Sequence, residues 1–237
     1  RRGAVLWLTD INADNLEQTA QQVRALGARC TTRICNVGSS TEMKKLAKAV
    51  HQQHPALDIL INNAGIGVAG RFVDTSLKTW NKVLDVNVKG VMLGCHLFAP
   101  NMIEQGSGHI VNLASAAAFI AAKDMPVYSM SKSAVLGFSE ALRADLHEYG
   151  IGVSAVCPGI INTPIVANAV FEGKLGQSDS VKNKAVDFYK KRNYTPDRVA
   201  LGIMDAIENN LAVRPISPEA WAMYLAKRLA PGVVDWL

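Results

Sequence analysis

Short apolar segments alternate with segments of helical periodicity along most of the chain. In the helical segments, apolar residues recur at i, i+3, i+4 and i+7, as Met43, Leu46, Ala47 and Val50 do. Continuous apolar strands that alternate with helices are typical of a parallel sheet covered on both faces. The sequence therefore predicts one doubly wound α/β domain over residues 1–237, with a mostly parallel sheet. The candidate strands are Val5–Leu8, Arg29–Ile34, Leu57–Ile61, His109–Leu113, Val153–Val156 and Leu211–Val213.

Capping signals mark several helix ends within this alternation. Ser39 and Glu42 have the spacing of a capping box. Gly27 stands where a C-cap glycine belongs after the first helix. Thr195 and Pro196 form an N-cap and N1 pair that begins a late helix.

The first residues depart from the expected plan. A doubly wound nucleotide-binding fold opens with a strand, a glycine-rich turn and a helix, whereas the segment from Arg1 to Ala4 resembles the end of that helix. Either the supplied chain starts late or the protein lacks a phosphate-binding turn. The otherwise intact fold favours the first alternative, in which a first βαβ unit of about 30 residues is missing. Without its central strand, a parallel sheet would leave apolar surface on the neighbouring strands uncovered.

Composition excludes several classes of protein. The chain has 237 residues, of which 49% are hydrophobic and 19% charged, which suits one soluble globular domain. It contains no run of about 18 apolar residues and no visible signal peptide, so a cytoplasmic location and no membrane span are expected. The net charge of +5 is spread among acids, which argues against nucleic-acid binding. The cysteines lack a zinc pattern, and His51 and His54 favour a solvated face, so no metal site is predicted.

Tyr128 and Lys132 are the residues with the clearest chemistry. They lie four apart at the start of a predicted helix, so both face the same side. A tyrosine titrates near 10, and an adjacent ammonium favours the phenolate, which would suit proton transfer near neutral pH. Ser115, at the end of an apolar strand, adds a hydroxyl that could hold a carbonyl oxygen. The alternative for Ser115 is a local turn bond at the strand end.

Four motifs lie in order and register along the chain. They are Asn62-Asn63-Ala64-Gly65, Asn87 on a long helix, Ser115 with Tyr128 and Lys132, and Pro158-Gly159 with Thr163. In this order and spacing they resemble the short-chain dehydrogenase/reductase family, which has a Rossmann-type fold. The likeness extends from the first residue to about Val213, and within the family it is strongest to actinobacterial-type members, including those fused behind an epoxide-hydrolase-like domain.

The resemblance implies a role for each motif. Tyr128 would be the general acid in reduction and the base in oxidation. Lys132 would lower the pKa of Tyr128 and bind the nicotinamide ribose, and Ser115 would orient the substrate carbonyl. Asn87 would support a water-linked proton path from Lys132, or simply satisfy a nearby carbonyl. The further cofactor-binding positions would be Asn63, Ala64, Gly65, Pro158, Gly159 and Thr163.

Asp10 indicates which dinucleotide is used. It ends the second strand of the family plan, where a carboxylate accepts both ribose hydroxyls of NAD and repels a 2′-phosphate. Ile11 and Asn12 follow, with no arginine placed for that phosphate, so NAD is expected over NADP. The alternative is that Asp10 only caps or turns into the next helix. Asn36 and Val37 stand where many members have Asp-Val beside the adenine, and an amide oxygen there can still accept from the adenine amino group.

The substrate side is less defined. Residues Ala116–Ile120, with Met125, Ile160 and Val166, suggest an apolar pocket wall. The stretch 164–193 is predicted to be a substrate lid, whose basic face is solvated or attracts an anion. Residues 216–237 form an apolar carboxyl-terminal extension, expected to pack on the lid or on a neighbouring subunit. Its stripe is Trp221, Leu225, Leu229 and Trp236.

These features favour an NAD-dependent oxidoreductase that interconverts a secondary alcohol and a ketone on an apolar small molecule. An NADPH-dependent carbonyl or ketoacyl reductase is a second hypothesis, and a binding or scaffolding protein without catalysis is a third. A homotetramer or homodimer is expected on the long helices around Asn87 and Tyr128. Its apolar surface would come from Met92, Leu93, Leu97, Phe98, Val135, Leu136, Phe138 and Leu142.

Overall fold

The computed structural model describes residues 3–177 and 179–234, with the backbone alone for 233 and 234. Strands and helices alternate through most of this range, as the hydrophobic pattern predicts. The strands are β1 (Val5–Asp10), β2 (Arg29–Ile34), β3 (Ile59–Asn62), β4 (Val68–Ala69), β5 (Gly108–Leu113), β6 (Ile151–Pro158), β7 (Val170–Phe171) and β8 (Val213–Ile216). The helices are α1 (Ala13–Ala25), α2 (Ser40–His51), α3 (Leu77–Leu84), α4 (Gly90–Gln105), α5 (Pro126–Leu146), α6 (Asp179–Arg192), α7 (Pro196–Glu208), α8 (Pro218–Leu229) and α9 (Pro231–Val234).

The main sheet is parallel, with strand order β3-β5-β6-β8. β1 and β2 form a second parallel pair, and β4 and β7 form a third. Because all strands of the main sheet run the same way, their carboxyl ends meet at one edge, where α/β folds place their ligands. The predicted α/β fold with a mostly parallel sheet is confirmed. The last strand is shifted from the predicted Leu211–Val213 to begin at Val213.

The strands of the different sheets are not equally well covered. The central residues of β5 and β6, such as Val111 and Val153, are fully buried. On β1 and β3, Val5, Ile59 and Ile61 are 43%, 43% and 46% exposed. Within the described ranges, no ladder of strand hydrogen bonds joins the β1–β2 pair to β3. β1 and β3 therefore leave apolar side chains uncovered.

Two buried clusters position the site. One packs α4 and α5 against β5 and β6, with Met102 and Ile110 fully buried at its centre. The other packs α2 against α4 through Met43, Leu46 and Phe98. These clusters fix the helices that carry the candidate catalytic residues, so the site stands on rigid elements.

α3 and α4 are joined without a loop by one turn of π-helix, Asp85–Lys89. π turns of this kind interrupt α-helices most often at functional sites. Asn87 lies in the middle of the turn and is fully buried. The single long helix expected to carry Asn87 is therefore two helices with a π turn between them.

The helix ends match the predictions in part. Gly27 has a φ of 80°, the left-handed conformation expected of a C-cap glycine. The Ser39 hydroxyl accepts from the Glu42 amide at 3.3 Å, but the Glu42 carboxylate accepts from the Asn36 amide at 2.8 Å rather than from Ser39. The capping box is therefore half formed. Thr195 is the N-cap before Pro196, as predicted, without a side-chain bond of its own.

Part of the apolar surface expected to drive oligomerisation is buried inside the monomer. Leu93, Phe98 and Val135 are all less than a tenth exposed. Met92 is 42% exposed, and the other four residues predicted for that interface are half-buried, namely Leu97, Leu136, Phe138 and Leu142. The apolar surface that α4 and α5 offer to a partner subunit is therefore smaller than the sequence suggested. The oligomeric state stays a prediction.

The carboxyl-terminal stripe is largely exposed in the monomer. Trp221 is 39% exposed and stacks edge-on against Tyr224, while Leu225 and Leu229 are 47% and 79% exposed. Trp236 lies outside the described residues, as do Arg1 and Arg2. No helix in the described part of the chain is long and apolar enough to cross a membrane. Over the same residues, no group of three or more His, Cys, Asp or Glu side chains is arranged to hold a metal ion.

Candidate active site

Ser115, Tyr128 and Lys132 converge at the carboxyl edge of the main sheet. Ser115 follows the end of β5, and Tyr128 is the third residue of α5, which begins at Pro126. Pro126 suits the first helical position because its missing N–H has no intrahelical partner there. Lys132 lies one turn after Tyr128 on the same helical face. The structure thus brings together the three residues that the sequence pattern singled out.

Ser115 is held by local backbone contacts. Its hydroxyl accepts from the Ala117 amide at 3.2 Å, which caps a short 3₁₀ turn, and donates to the Pro158 carbonyl at 3.5 Å. The hydroxyl also lies close enough to Tyr128 to lower the pKa of its phenol. The turn bond considered as an alternative for Ser115 is present, and it aims the hydroxyl along the edge shared by β5 and β6.

Tyr128 is partly buried. Burial raises the pKa of its phenol above the ordinary value, the Ser115 hydroxyl lowers it in part, and the nearby Tyr189 adds to the rise. A neutral phenol is therefore the favoured state near neutral pH. This corrects the expectation that Lys132 brings the pKa of Tyr128 down, because in this structure burial outweighs every favourable interaction.

Lys132 is 4% exposed, which is rare for a lysine. Its ammonium donates to the Leu113 carbonyl at 2.7 Å and lies 5.9 Å from the centroid of the Tyr128 ring. Burial lowers the pKa of Lys132 to about 8. The side chain thus places a buried ammonium group between the end of β5 and the first turn of α5.

Asn87 clamps the loop that follows β3. Its side-chain oxygen accepts from the Ile66 amide at 2.8 Å, and its amide donates to the Ile66 carbonyl at 3.0 Å and to the Ser131 hydroxyl at 3.1 Å. The Ser131 hydroxyl in turn donates to the Tyr128 carbonyl at 2.7 Å. The alternative considered for Asn87, satisfying a nearby backbone group, is what the structure contains. Its expected part in a water-linked proton path stays a prediction.

Gly65 lies between the Asn87 side chain and the buried Lys132 ammonium. A Cβ added there would meet the Asn87 side-chain oxygen and the Lys132 ammonium nitrogen, both at 3.4 Å. Asn63 and Ala64, on the same loop, are exposed at the rim of the site. In the Asn-Asn-Ala-Gly motif, Asn63 and Ala64 are thus exposed, and the backbone at Gly65 then lies close to Lys132.

The loop after β6, residues 158–163, is fixed mainly by its backbone. The Gly159 amide donates to the Ile216 carbonyl at 3.1 Å, and the Ile160 amide donates to the Glu219 carboxylate at 2.9 Å. The Asn162 amide donates to the Tyr194 carbonyl at 2.8 Å. Ile161 is 6% exposed, yet its amide has no hydrogen-bond partner within residues 3–177 and 179–234. The Thr163 amide also lacks a partner within those ranges, so two donors of the loop stay available to a bound group.

Asp10 ends β1 and is exposed. One of its carboxylate oxygens accepts from the Asn12 amide at 2.8 Å, and Asn12 caps α1 by accepting from the Asn15 amide at 2.9 Å. The N-cap of α1 is therefore Asn12, and Asp10 supports the turn before it. The second carboxylate oxygen has no partner within the described residues. Ile11, beside it, is 68% exposed.

Asn36 and Val37 follow β2 on the same edge. The side-chain oxygen of Asn36 accepts from the Gly38 amide at 3.0 Å, so the lone pairs expected to face an adenine are partly used by the turn itself. Val37 packs tightly on Gly90 at the start of α4. Both residues therefore help to shape the rim between β2 and the π turn.

The expected pocket wall is partly core. Ala116 and Phe119 are 5% and 4% exposed and belong to the main hydrophobic cluster, where the Phe119 ring lies 5.2 Å from that of Tyr224. Ile120 packs against the same cluster. These side chains support the site from beneath, because the 3₁₀ turn after Ser115 directs them inward.

Segment 164–193 is anchored at its start. β7 pairs with β4, and the Glu172 carboxylate accepts from the Ser76 amide at 2.7 Å and from the Thr79 hydroxyl at 2.6 Å, at the first turn of α3. These hydrogen bonds hold the pKa of Glu172 below its ordinary value, with that from Thr79 the largest contribution. At the other end, the Arg192 guanidinium pairs with the Glu219 carboxylate.

Several contributors to the site escaped sequence reasoning. Ser131, three residues after Tyr128, and Glu219, far along the chain, are the clearest. Beneath the site, the Asn62 side chain donates to the Asn112 side-chain oxygen at 2.8 Å, and the Asn112 amide donates to Ser139 at 3.0 Å. Two asparagines at adjacent strand ends are a signal that could have indicated this polar network.

Comparisons with known proteins agree with this geometry. A family model described as short chain dehydrogenase matches residues 1–172. The Mycobacterium tuberculosis protein named "Probable oxidoreductase EphD" is 36% identical over 242 residues, which cover 98% of this chain. The chain spans only 40% of the length of that relative.

A second relative and a solved structure extend the comparison. The 2-(R)-hydroxypropyl-CoM dehydrogenase of Xanthobacter autotrophicus is 37% identical over 168 residues, covering 69% of this chain and 67% of the relative. A crystal structure of a short chain dehydrogenase/reductase from Burkholderia phymatum in complex with NAD superposes with a TM-score of 0.85 at 27% identity. It covers 98% of this chain and 85% of its own.

Proposed function

Since the chain belongs to the short-chain dehydrogenase/reductase family, we propose that it interconverts a secondary alcohol and a ketone with NAD as its cofactor. The family makes it an oxidoreductase that uses a nicotinamide dinucleotide. The observation that carries the finer proposal is the convergence of Ser115, Tyr128 and Lys132 beside the loop at residues 158–163. The likeness to members fused behind an epoxide-hydrolase-like domain stays a prediction.

Tyr128 is the proton donor in ketone reduction. Its raised pKa keeps the phenol neutral near pH 7, so a proton is available for the oxygen of a developing alkoxide. Ser115 lies close enough to share that oxygen and to stabilise its charge by hydrogen bonding. In alcohol oxidation the same phenol oxygen accepts the proton, and the Ser115 hydroxyl and the Lys132 ammonium stabilise the phenolate.

Lys132 supplies a buried positive charge behind the phenol. In the free protein its ammonium is held by the Leu113 carbonyl at 2.7 Å. A ribose hydroxyl can be its second partner because the ammonium has three donors and Leu113 uses one. Asn87 keeps the loop from Gly65 to Ile66 in place over this ammonium. Its part is to hold the wall of the cofactor site.

The residues present fit a nicotinamide dinucleotide. Bound NAD would supply the hydride acceptor, and NADH the hydride donor. The free Ile161 and Thr163 amides would hold the carboxamide end, together with Pro158 and Gly159, which frame that loop. Asn63, Ala64 and Gly65 would line the middle of the site. At the adenosine end the residues are Asp10, Ile11, Asn36 and Val37.

Asp10 favours NAD over NADP. Its free carboxylate oxygen can accept from a ribose hydroxyl, whereas a 2′-phosphate would be repelled. Arg33 on β2 lies opposite Thr9 in the parallel register, so it belongs to the face of the β1–β2 pair opposite to Asp10. No basic side chain is therefore placed beside Asp10 on its own face in this pair of strands.

The substrate is proposed to be a small molecule with an apolar body. Met125, Ile160 and Val166 are proposed to line its pocket, and segment 164–193 is proposed to close over them as a lid. The relative from Xanthobacter is named for a 2-hydroxypropyl group, which is a secondary alcohol. That name supports the reaction class for this chain without specifying its substrate.

Two other functions are kept as alternatives. An NADPH-dependent carbonyl or ketoacyl reductase would use the same Ser115, Tyr128 and Lys132, and Asp10 argues against it. A binding or scaffolding protein that lost catalysis would have no need of a nearly fully buried Lys132, which burial alone makes costly.

A screen of secondary alcohols with each dinucleotide tests the proposal. The purified chain is supplied with apolar alcohols, including lipidic and steroidal ones, and reduced cofactor is followed by its absorbance. We expect turnover of at least one alcohol with NAD and a weaker rate with NADP. A protein that binds neither dinucleotide in a fluorescence titration would refute the proposed function, and a protein that works better with NADP would support the first alternative.

A further inference from the structure

The carboxyl-terminal Ser217-Pro218-Glu219 turn lies against the loop that is proposed to hold the nicotinamide. Ser217 follows β8 and has a φ of 90° and a ψ of 151°. This backbone region strains a residue other than glycine and persists where the surroundings require it. The strained turn starts α8 with Pro218 at its first position and directs the Glu219 side chain toward Ile160.

The Glu219 carboxylate joins three parts of the chain. One oxygen accepts from the Ile160 amide at 2.9 Å, and the other pairs with the Arg192 guanidinium at the end of α6. The Ser217 hydroxyl lies near the carboxylate. Burial alone raises the pKa of Glu219, but the hydrogen bond from the Ile160 amide, the nearby Ser217 hydroxyl and Arg192 together hold that pKa below its ordinary value. The carboxylate is therefore charged near neutral pH.

Gly159 is shaped by this turn. A Cβ added at Gly159 would overlap both the Glu219 carboxylate and the Ser217 hydroxyl. The glycine of the Pro-Gly motif is therefore required by the turn behind it as well as by any group in front of it.

A second tie runs parallel to the first. The Asn162 amide donates to the Tyr194 carbonyl at 2.8 Å, and the Arg192 guanidinium lies 6.0 Å from the centroid of the Tyr194 ring. The end of α6 and the loop at 158–163 are thus joined twice, once through Glu219 and once through Tyr194.

We infer that Glu219 is a positioning residue that fixes the backbone of the 158–163 loop and couples it to the end of segment 164–193 through Arg192. The inference rests on the proposed function, in which that loop holds the nicotinamide and that segment covers the substrate. In that function, Glu219 itself contacts neither the nicotinamide nor the substrate. Through Glu219, closure of the lid is coupled to alignment of the loop that holds the cofactor.

Hydrogen exchange of the cofactor-free protein tests this coupling without any turnover. In Glu219→Ala, the Gly159, Ile160 and Asn162 amides of the 158–163 loop should exchange about tenfold faster than in wild type, since the acceptor for Ile160 is gone. Glu219→Gln keeps an oxygen acceptor and should keep most of the protection of that loop. Arg192→Met should speed exchange at the end of α6 while Ile160 stays protected. Glu104→Ala, at an exposed residue of α4 without a partner in the described chain, is the matched control.

Kinetics with one alcohol from the screen give the second readout. Glu219→Ala should lower kcat about tenfold while the dissociation constant of NADH changes less than about threefold, because the loop is misaligned but the adenosine end is intact. Glu219→Gln should restore most of kcat. A purely structural role would lower the stability of both variants alike and would not separate them.

Two results would overturn the inference. One is wild-type exchange at the 158–163 loop in Glu219→Ala. The other is a Glu219→Gln loop as unprotected as that of Glu219→Ala. If Glu219→Ala does not fold, unchanged exchange at the end of α6 in Arg192→Met has the same force. A wild-type protein that binds no dinucleotide would refute the proposed function, and the exchange data would still decide whether the tie exists.

Discussion

The ammonium of Lys132 donates to the Leu113 carbonyl at 2.7 Å, two residues before Ser115. The bond links the second turn of α5 to the last residue of β5. It fixes the lysine in a place where water scarcely reaches, so the charge of Lys132 is sensitive to pH in a way that an exposed lysine is not.

Replacing Lys132 should change how stability depends on pH. The folded-state pKa of Lys132 is about 8, against an ordinary value of 10.5. Between these values the unfolded chain binds more protons than the native one, so the stability due to Lys132 rises with pH and is lost as pH falls through 8. Relative to Lys132→Met, wild type should gain about 2 kcal/mol between pH 7.5 and 9.5.

Urea unfolding of both proteins at the two pH values measures this difference. Tyr128 is present in both proteins, so its own titration largely cancels. A difference that stays flat, or that falls with pH, would show that Lys132 titrates as it does in water.

Tyr128→Phe should abolish most turnover while leaving the fold and NADH binding nearly intact. The change removes only the hydroxyl, and general acid–base catalysis is typically worth ~10²–10⁴-fold. Steady-state kinetics with an alcohol from the screen, beside a fluorescence titration of NADH, measures both effects. A variant that kept more than a tenth of the wild-type rate would exclude Tyr128 as the proton carrier.

Asp10 should set a preference for NAD of a hundredfold or more in kcat/KM. Hydrogen bonds to a charged group are worth ~1.5–3 kcal/mol each, and a 2′-phosphate would face the carboxylate. Asp10→Ala should narrow the gap chiefly by weakening NAD, and adding Asn12→Arg should begin to recover NADP. Equal efficiencies with both cofactors in wild type would mean that Asp10 serves only the turn before α1.

Gly94→Ala should destabilise the protein by about 1–3 kcal/mol even though alanine favours helices. A Cβ at Gly94 would overlap the Asn62 side chain and push it away from Asn112. Gly137→Ala in α5 is the control, since a Cβ there would meet nothing within 4 Å. It should stabilise by about 0.5–1 kcal/mol. Thermal or urea unfolding measures the stability of both variants. Similar changes in stability would show that the Asn62–Asn112 hydrogen bond does not have the role given to it.

The elements that carry the site were predictable from local patterns. The strand runs, Pro126 before Tyr128, and the four-residue spacing to Lys132 are all written in short stretches of sequence. Contacts between distant residues were not predictable in this way. Ile160 and Glu219 are 59 residues apart, and Asn62 and Asn112 are 50 apart.

Burial was the other quantity that local patterns could not supply. The sequence places a cation beside Tyr128 and so suggests a lowered pKa, but the direction depends on how much water reaches the phenol. In the fold, burial decides the sign for Tyr128 and for Lys132 alike. The buried share of the apolar side chains on α4 and α5 could not be predicted for the same reason, because it depends on how both helices pack.

The pairing of β7 with β4 determines how segment 164–193 can move. The first half of the segment is held to the body by the hydrogen bonds between β4 and β7 and by the Glu172 carboxylate at the start of α3. If the segment is the lid proposed above, lifting that half requires breaking both sets of bonds and returning the carboxylate to water. Admission of substrate would then be a local unfolding event, and we expect its rate to rise when the Glu172 carboxylate is removed.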